Sequence, residues 1–494
     1  MTGTRLRRWL FADQMGPHFL DSDDQPVLLV EARSVFRRRS FHRQKAHLVL
    51  SALRHRAAEL GERARFEQGE TYRQALDALG EPVSVCAPTS QDADRFVRGL
   101  DGVEVLPARG FTLSREDFSG WAEGRRRLLL EDFYRAQRRR HDVLMEGSEP
   151  ISGRWNYDAE NRERPPRGAN RLDVTAPWQP DEDEIDEQVR RDLDAWEADG
   201  AIRTVGRDGP RRFAVTREEA LTALRHFVED RLPAFGPFED AMLAEDPTMA
   251  HSLLSAPLNL GLLDPMECVR AAEAAYLTGA APLRSVEGYV RQVLGWREYV
   301  WHTYWHFGPG YRQHNALDAD GGLPRWFAEL DADAVEARCL STVLAQVRDS
   351  GWTHHIPRLM VLGNYGLQRG WSPQALTDWF HRCFVDGYDW VMLPNVLGMS
   401  QHADGGLMAT KPYAAGGAYI NRMSDLCGAC RYKPERRLGP EACPYTAGYW
   451  EFLHRNRAAL AGNRRMRQSL QGLDRLSDLA EVATQEERRG SSAP

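Results

Sequence analysis

The chain has 494 residues, 42% of them apolar and 10% aromatic, enough to build more than one packed domain and too much for a disordered polymer. No apolar run approaches the ~20 residues that span a bilayer, so no membrane partner is expected. A formal net charge of −7 excludes a surface that binds polyanions throughout and leaves room only for local basic faces, as in FRRRSFHRQK at 36–45, GRRRLLLEDFYRAQRRR at 124–140 and GNRRMRQ at 462–468.

The opening MTGTRLRRWLFADQ carries basic residues but no apolar stretch of the kind a secretory leader has, which points to the cytoplasm, where thiols stay reduced. From residue 5 to about 110, short apolar runs alternate with helical stretches: LRRWLFA, PVLLVEA, AHLVLSALRHRAAEL, RARFE, YRQALDALG, EPVSVCA, DADRFVRGL and VEVLPA. That rhythm predicts an open parallel α/β sheet of Rossmann-like type over 1–146, with its last part, from Ser114, helical. The polar GRWNYDAENRERPPRGANRLD breaks the periodicity, and residues 147–181 are predicted as a linker. From PDEDEIDEQVRRDLDAW onward the apolar spacing is helical, which predicts an all-α domain over 182–484, followed by a polar, disordered tail over 485–494.

The helical part holds several polar clusters among aromatics, the setting a large planar cofactor needs. In HSLLS, His251, Ser252 and Ser255 offer hydroxyls and backbone N–H groups to a diphosphate, or simply cap a helix. The helix EGYVRQVLGWREYVW carries Glu287 and Arg291 four apart, a spacing that also gives an ordinary surface ion pair. In HHIPRLMVLGNYGL the adjacent His354 and His355 diverge by about 100° on a helix, so at most one faces a given site.

The strongest local pattern is CGAC-x12-CP, Cys427, Cys430 and Cys443, with Pro444 after the last thiol. Thiols so spaced converge on one metal ion or on an iron-sulfur cluster. The fourth ligand lies elsewhere: His454 for zinc or the distant Cys339, with buried thiols or a disulfide as the remaining alternative.

Taken together, HSLLS, EGYVRQVLGWREY, HHIPRLM, PNVLGMSQHADGG, TKPYAAGGAYINRMSDLCGACRY and ACPYTAGYW, with FADQ near the start and GRWNYDAENR in the linker, resemble the iron-sulfur bacterial branch of the photolyase and cryptochrome superfamily. These are the prokaryotic (6-4) photolyases and their relatives, also called deoxyribodipyrimidine photolyase-related proteins. The resemblance implies an α/β antenna domain followed by an all-α FAD domain. It implies a 4Fe-4S cluster on Cys339, Cys427, Cys430 and Cys443, leaving Cys86, Cys268 and Cys383 as ordinary thiols. It implies FAD surrounded by Ser252, Leu254, Ser255, Glu287, Gln292, Arg297, Arg358, Asn364, Asp386, Met392 and Asn395, with Arg358 and Asp386 flanking the isoalloxazine and Tyr413 and Tyr419 in the pocket. An antenna of the 6,7-dimethyl-8-ribityllumazine kind would sit at Asp13, Gln14 and Glu31, at the ends of the first two strands.

The activity implied is light-driven repair of (6-4) photoproducts in ultraviolet-damaged DNA by a monomer, with His355 as proton donor, His354 as its support, and Arg422 and Lys411 on the DNA phosphates. The same resemblance admits a blue-light receptor of cryptochrome type, which signals through a partner instead of repairing DNA. Two departures bear on this choice. Relatives carry Trp-Tyr where this chain has Trp379 and Phe380, which alters the aromatic route for electrons, and Trp326 lies in a longer, differently composed segment before Cys339. Met392 stands where this branch has Glu near flavin N5, and a thioether neither donates nor accepts strongly there, so the protonated one-electron-reduced flavin should be poorly stabilised.

Overall fold

The structure, a computed structural model, describes residues 6–494. Five strands, β1 (Arg7–Leu10), β2 (Val27–Ala32), β3 (Ala64–Gly69), β4 (Val83–Cys86) and β5 (Val103–Leu106), form a parallel sheet in the order β3-β2-β1-β4-β5. Every residue of β2 and β4 is buried because both of their faces are covered, as parallel strands require. The strand order reverses direction between β1 and β4, so the crevice beyond their carboxyl ends is the topological switch point, where α/β sheets take ligands.

The helix Arg43–Leu60 packs over β2 and β3, and its first turn turns towards the helical domain. His42 caps it by accepting from the Gln44 N–H. Arg43 is buried and pairs with Glu197 at 2.8 Å, while the Lys45 ammonium donates to the His381 carbonyl at 2.6 Å and to that of Gly387. Cations from the first domain therefore fasten the second.

Residues 147–181 contain only the short turn Ile151–Gly153 and a two-residue pairing of Met145–Glu146 with Glu149–Pro150. Single polar anchors hold this stretch: Arg138 donates to the Trp155 carbonyl at 2.9 Å, and the Tyr157 N–H donates to Glu287 at 2.9 Å.

Beyond it the fold is helical. Asp183, Thr216 and Asp264 each open a helix with a reciprocal capping box, satisfying donors that would otherwise be orphaned. Four stretches coil more widely than an α-helix: Phe227–Arg231, Arg291–Arg297, Pro357–Gly363 and Leu393–Ser400. Proline stands at the start of the last two, where its missing donor is tolerated, and such wide turns concentrate at functional sites. They carry Gln292, Arg358 and Asn395.

The expected disordered tail over 485–494 is corrected. Residues Leu479–Arg489 are helical, and the buried Glu486 pairs with Arg369. The Pro494 carbonyl accepts from the N–H groups of Glu336 and Ala337, at 2.7 and 2.9 Å, and the Ser491 carbonyl accepts from the Trp326 indole at 2.9 Å. Backbone acceptors do this work, so a polar composition gave no sign of it. Among the described residues, no helix is long and apolar enough to cross a membrane.

Candidate functional site

The centre of the helical domain is an ion pair. Arg358 grips both oxygens of Asp386, at 2.8 and 3.0 Å, and the Ser255 hydroxyl donates to the same carboxylate at 2.7 Å. The Arg358 Nε donates to the Thr353 carbonyl, and its guanidinium lies 4.2 Å from the centre of the Phe384 ring. Asn259 fixes the Asp386 backbone at 3.0 Å. The pair is almost enclosed, so its fork geometry is held rigidly, and it offers a planar, charged rim for a flat heterocycle. Three residues before Ser255, Ser252 lines a cleft with Trp178, Arg212 and Arg231, in which the buried Arg212 Nε has no partner. A hydroxyl and an unpaired guanidinium N–H suit an anion, so a flavin with its diphosphate fits this donor set. Leu254 is buried between the two serines and begins the turn that carries Ser255.

Beside the pair stands a histidine cluster. His354 is buried and stacks on His251 with ring centres 4.4 Å apart; His355 is half exposed, 5.5 Å from His251, with Nε2 3.5 Å from the Asp240 carboxylate. Burial holds His251 and His354 well below the ordinary imidazole pKa, so both are neutral at pH 7. Tyr413 and Tyr419 lie within electrostatic reach of Asp240, and Arg422 sits 5.5 Å over the Tyr419 ring. Lys411, Tyr413 and Arg422 are exposed, and the two tyrosines feel Arg162 as well as Asp240, so this mouth is aromatic and carries charges of both signs.

Other expected flavin neighbours have different partners. Asn364 spends its amide on the chain itself: Nδ2 donates to the carbonyls of Met360 and Ala415, and Oδ1 accepts from the Ala415 N–H and from Gln368. It therefore pins the loop between Tyr413 and Tyr419. Asn395 accepts from the Trp296 indole at 3.0 Å and donates to the Val391 carbonyl. Arg297 is buried against Phe111 and Trp390 and donates to the Gly110 carbonyl, at the seam with the first domain.

Glu287 forms no pair with Arg291, which turns to Glu131 at 2.7 Å; Glu287 is buried, its pKa raised by burial, and it holds the linker through Tyr157. Gln292 donates to the buried Glu239 at 2.7 Å, whose backbone in turn bonds His251. Met392 is buried in the apolar core that also holds Trp379 and Phe380. Trp379 is fully buried, its indole donating to the Phe327 carbonyl, and Phe380 stacks 5.1 Å from Phe384. Phe327 also meets Trp371 at 4.7 Å, and Trp371 meets Trp326 at 6.2 Å.

The four cysteines converge. Burial and the neighbouring thiols of Cys443, Cys427 and Cys430 raise the Cys339 pKa, and Cys427 is pushed up to about 12 by burial and by Cys443 and Cys430. Cys339 lies in the first turn of the helix Arg338–Ser350, and Cys443 caps the helix Pro444–Arg455, so two helix N-termini favour thiolate charge. Among the described residues, no three of these sulfurs lie within 4.8 Å of one another. Four thiols brought together in this way suit a metal ion or an iron-sulfur cluster. His454 stands at the far end of a helix from Cys443, about 16 Å along its axis, and cannot share an ion with it.

At the switch point, Thr89, which follows β4, donates to Asp13, which follows β1, at 2.5 Å. Burial raises the Asp13 pKa, and one oxygen of Asp13 and the amide oxygen of Gln14 are buried without partners. Gln14 donates to the Cys86 carbonyl at 3.0 Å. Glu31 is saturated, gripped twice at 2.8 Å by Arg54 and once by Gln68. Asp13 and Gln14 thus keep open acceptors for a ligand, whereas Glu31 braces the crevice wall.

Sequence reasoning missed His251 as a member of the histidine cluster and Lys45 as a neighbour of Asp386. Both act across the fold, and nothing adjacent to them in the chain signals it.

A family profile described as "deoxyribodipyrimidine photo-lyase-related protein" matches residues 8–201. A (6-4) photolyase from Agrobacterium fabrum is 39% identical over 495 aligned residues, covering 95% of each chain. Among solved structures, a bacterial class III photolyase from Agrobacterium tumefaciens superposes with a TM-score of 0.56 at 15% identity, covering 99% of this chain and 97% of that one. A cryptochrome from Synechocystis superposes with a TM-score of 0.54 at 14% identity, covering 85% and 88%.

Proposed function

This chain belongs to the deoxyribodipyrimidine photolyase-related family within the photolyases and cryptochromes, and from that membership we propose that it repairs (6-4) photoproducts in DNA by light-driven electron transfer. Membership implies FAD. The observation that carries the assignment to (6-4) lesions is the half-exposed His355, held by Asp240 and adjoining His251 and His354, on both of which the Arg358 charge acts.

When bound, the reduced flavin supplies the electron that light sends to the lesion. The residues do the rest. Ser255, Arg358 and Asp386 orient the flavin ring, and Ser252 with Arg212 holds its diphosphate. The Arg358 charge favours an anionic ring system at its edge. Reversing a (6-4) bond also moves an oxygen between bases, which needs a proton at the lesion. His355 delivers it, oriented by Asp240 and backed by the neutral His354. Tyr413 and Tyr419 line the pocket for a flipped nucleotide, while Arg422 and Lys411 hold flanking phosphates.

The four cysteines hold a 4Fe-4S cluster, and Asp13 and Gln14 hold an antenna of the ribityllumazine kind, with Glu31 bracing the crevice. Trp379 relays electrons, and its ring contacts continue through Phe327 and Trp371 to Trp326. One observation favours the second reading, a blue-light receptor: Phe380 replaces the Tyr beside Trp379, altering the electron route.

The test is an oligonucleotide with one (6-4) photoproduct, incubated with anaerobically reduced, cofactor-loaded protein in blue light and in the dark. Lesion loss in the light alone is expected. Full flavin and iron content without repair would assign the chain to the receptor class.

A further inference from the structure

An unbroken run of aromatic rings crosses the helical domain from the Arg358–Asp386 pair to the cysteines. It starts at Phe384, over which the Arg358 guanidinium lies at 4.2 Å, and passes to Trp379 with ring centres 6.1 Å apart. Trp379 meets Phe327 at 4.4 Å and is tied to it again by its indole N–H, which donates to the Phe327 carbonyl at 3.1 Å. Phe327 meets Trp371 at 4.7 Å, and there the run divides. An outer arm goes to the half-buried Trp326 at 6.2 Å. An inner arm goes to Tyr365 at 5.5 Å, and from Tyr365 to Tyr445 at 5.6 Å.

Tyr445 ends the inner arm at the cysteines. It follows Cys443 by two residues in the first turn of the helix Pro444–Arg455, and its hydroxyl interacts with the Cys339 side chain while donating to the Val361 carbonyl at 3.1 Å. Trp379, Phe327, Trp371, Tyr365 and Tyr445 are each exposed by 4% or less. Aliphatic side chains would fill such a core equally well, but only indole and phenol rings give up an electron and take it back.

We propose that the inner arm, Tyr445 and Tyr365, makes the cysteine site an internal electron donor to Trp379. The inference rests on the flavin and the 4Fe-4S cluster proposed above, and not on the (6-4) specificity. Trp379 gives one electron to the light-excited oxidised flavin, and Tyr445, Tyr365 and Trp371 pass one electron from the cluster to refill Trp379. The flavin is reduced by one electron, the cluster is oxidised by one, and no bond breaks and no proton need move. The direction follows from chemistry: across the range of potentials that such clusters show, they are easier to oxidise than indole or phenol.

Charge along the arm keeps the electron moving. Arg369 lies 5.3 Å over the Tyr365 ring, and Arg369 and Arg489 share the buried Glu486, which leaves one net positive charge facing Tyr365. That charge disfavours an oxidised Tyr365, so the phenol is a stepping point and not a trap. Cys339 and Cys443 as thiolates favour an oxidised Tyr445, which sets the hole on its way to the cysteines.

The test illuminates the full-length protein, with oxidised flavin and its cluster in place, anaerobically and without added reductant, then freezes it for electron paramagnetic resonance. The resting cluster is silent, so a new cluster signal is expected in about equal amount to the flavin radical. The double variant Tyr365→Phe, Tyr445→Phe keeps both rings and removes both oxidisable groups; at unchanged iron content its cluster signal should fall by about tenfold or more. Trp371→Phe, which interrupts the run before it divides, should do the same. A flavin radical beside a silent cluster in iron-replete wild type would overturn the donor role. A cluster signal of wild-type size in the double variant would overturn the assigned arm. Protein that purifies anaerobically without iron would overturn the cluster itself, and this inference with it, whereas failure to repair a (6-4) photoproduct would overturn the proposed function and leave these signals to decide the arm.

Discussion

Two residues set the local chemistry, Arg358 and Asp386, and each is enclosed only because the other neutralises it. Asp386→Asn leaves the guanidinium almost buried with no counter-charge, a loss on the order of 3–5 kcal/mol. Denaturant unfolding of the purified variant should show that loss, together with poor flavin retention through gel filtration; an unchanged unfolding midpoint would contradict the role given to the pair. Arg358 and Asp386 were legible only through resemblance to a family, because no spacing rule links residues that meet from separate helical segments. The two adjacent histidines do face different ways, one buried and one half exposed, but His354 precedes the helix that begins at His355, so helical geometry is not the reason. It could not supply His251, whose stack on His354 is a tertiary contact. Met392 fills apolar core, and a prediction follows for it: the blue, protonated flavin radical should not accumulate when the oxidised protein is illuminated with a thiol reductant, as absorbance near its long-wavelength band would reveal.

At the scale of elements, the cysteine site is joined to the carboxyl-terminal helix. The Glu336 and Ala337 N–H groups that anchor Pro494 directly precede the helix carrying Cys339, and Arg369 ties the same terminal helix to the helical core through Glu486. Cys339→Ser should therefore lower iron content and also loosen residues 479–494. Hydrogen exchange there should accelerate along with that of residues 326–337, while exchange in β1 to β5 stays unchanged. Protection retained at 479–494 after iron loss would separate the two. The α/β rhythm was legible in the sequence because its central strands β1, β2 and β4 are buried on both faces and helices separate them in the chain. The part of the terminal helix from residue 485 onward was not, since Glu486 paired with Arg369 and the backbone carbonyls of Ser491 and Pro494 hold it rather than an apolar run.

Across the whole molecule, the two domains are fastened by buried cations, Lys45 above all. Burial pushes its pKa down to about 7, against the attraction of Asp386. The unfolded chain, with an ordinary Lys pKa near 10.5, then binds more protons than the folded one between about pH 7 and 10.5. Stability should accordingly rise with pH across that window, and Lys45→Met should flatten the rise in unfolding midpoints measured from pH 7 to 9.5. At the same seam Asp13 and Asp386 both act electrostatically on Tyr388, so the antenna crevice proposed above would share a wall with the Arg358–Asp386 pair.

On the function proposed above, (6-4) repair runs through His355. Its most direct test compares wild type with His355→Ala, matched for flavin and iron, in light-driven repair of a single (6-4) photoproduct. His355→Ala should lose at least ~100-fold in repair rate with lesion binding retained. Equal repair by the two proteins would contradict it.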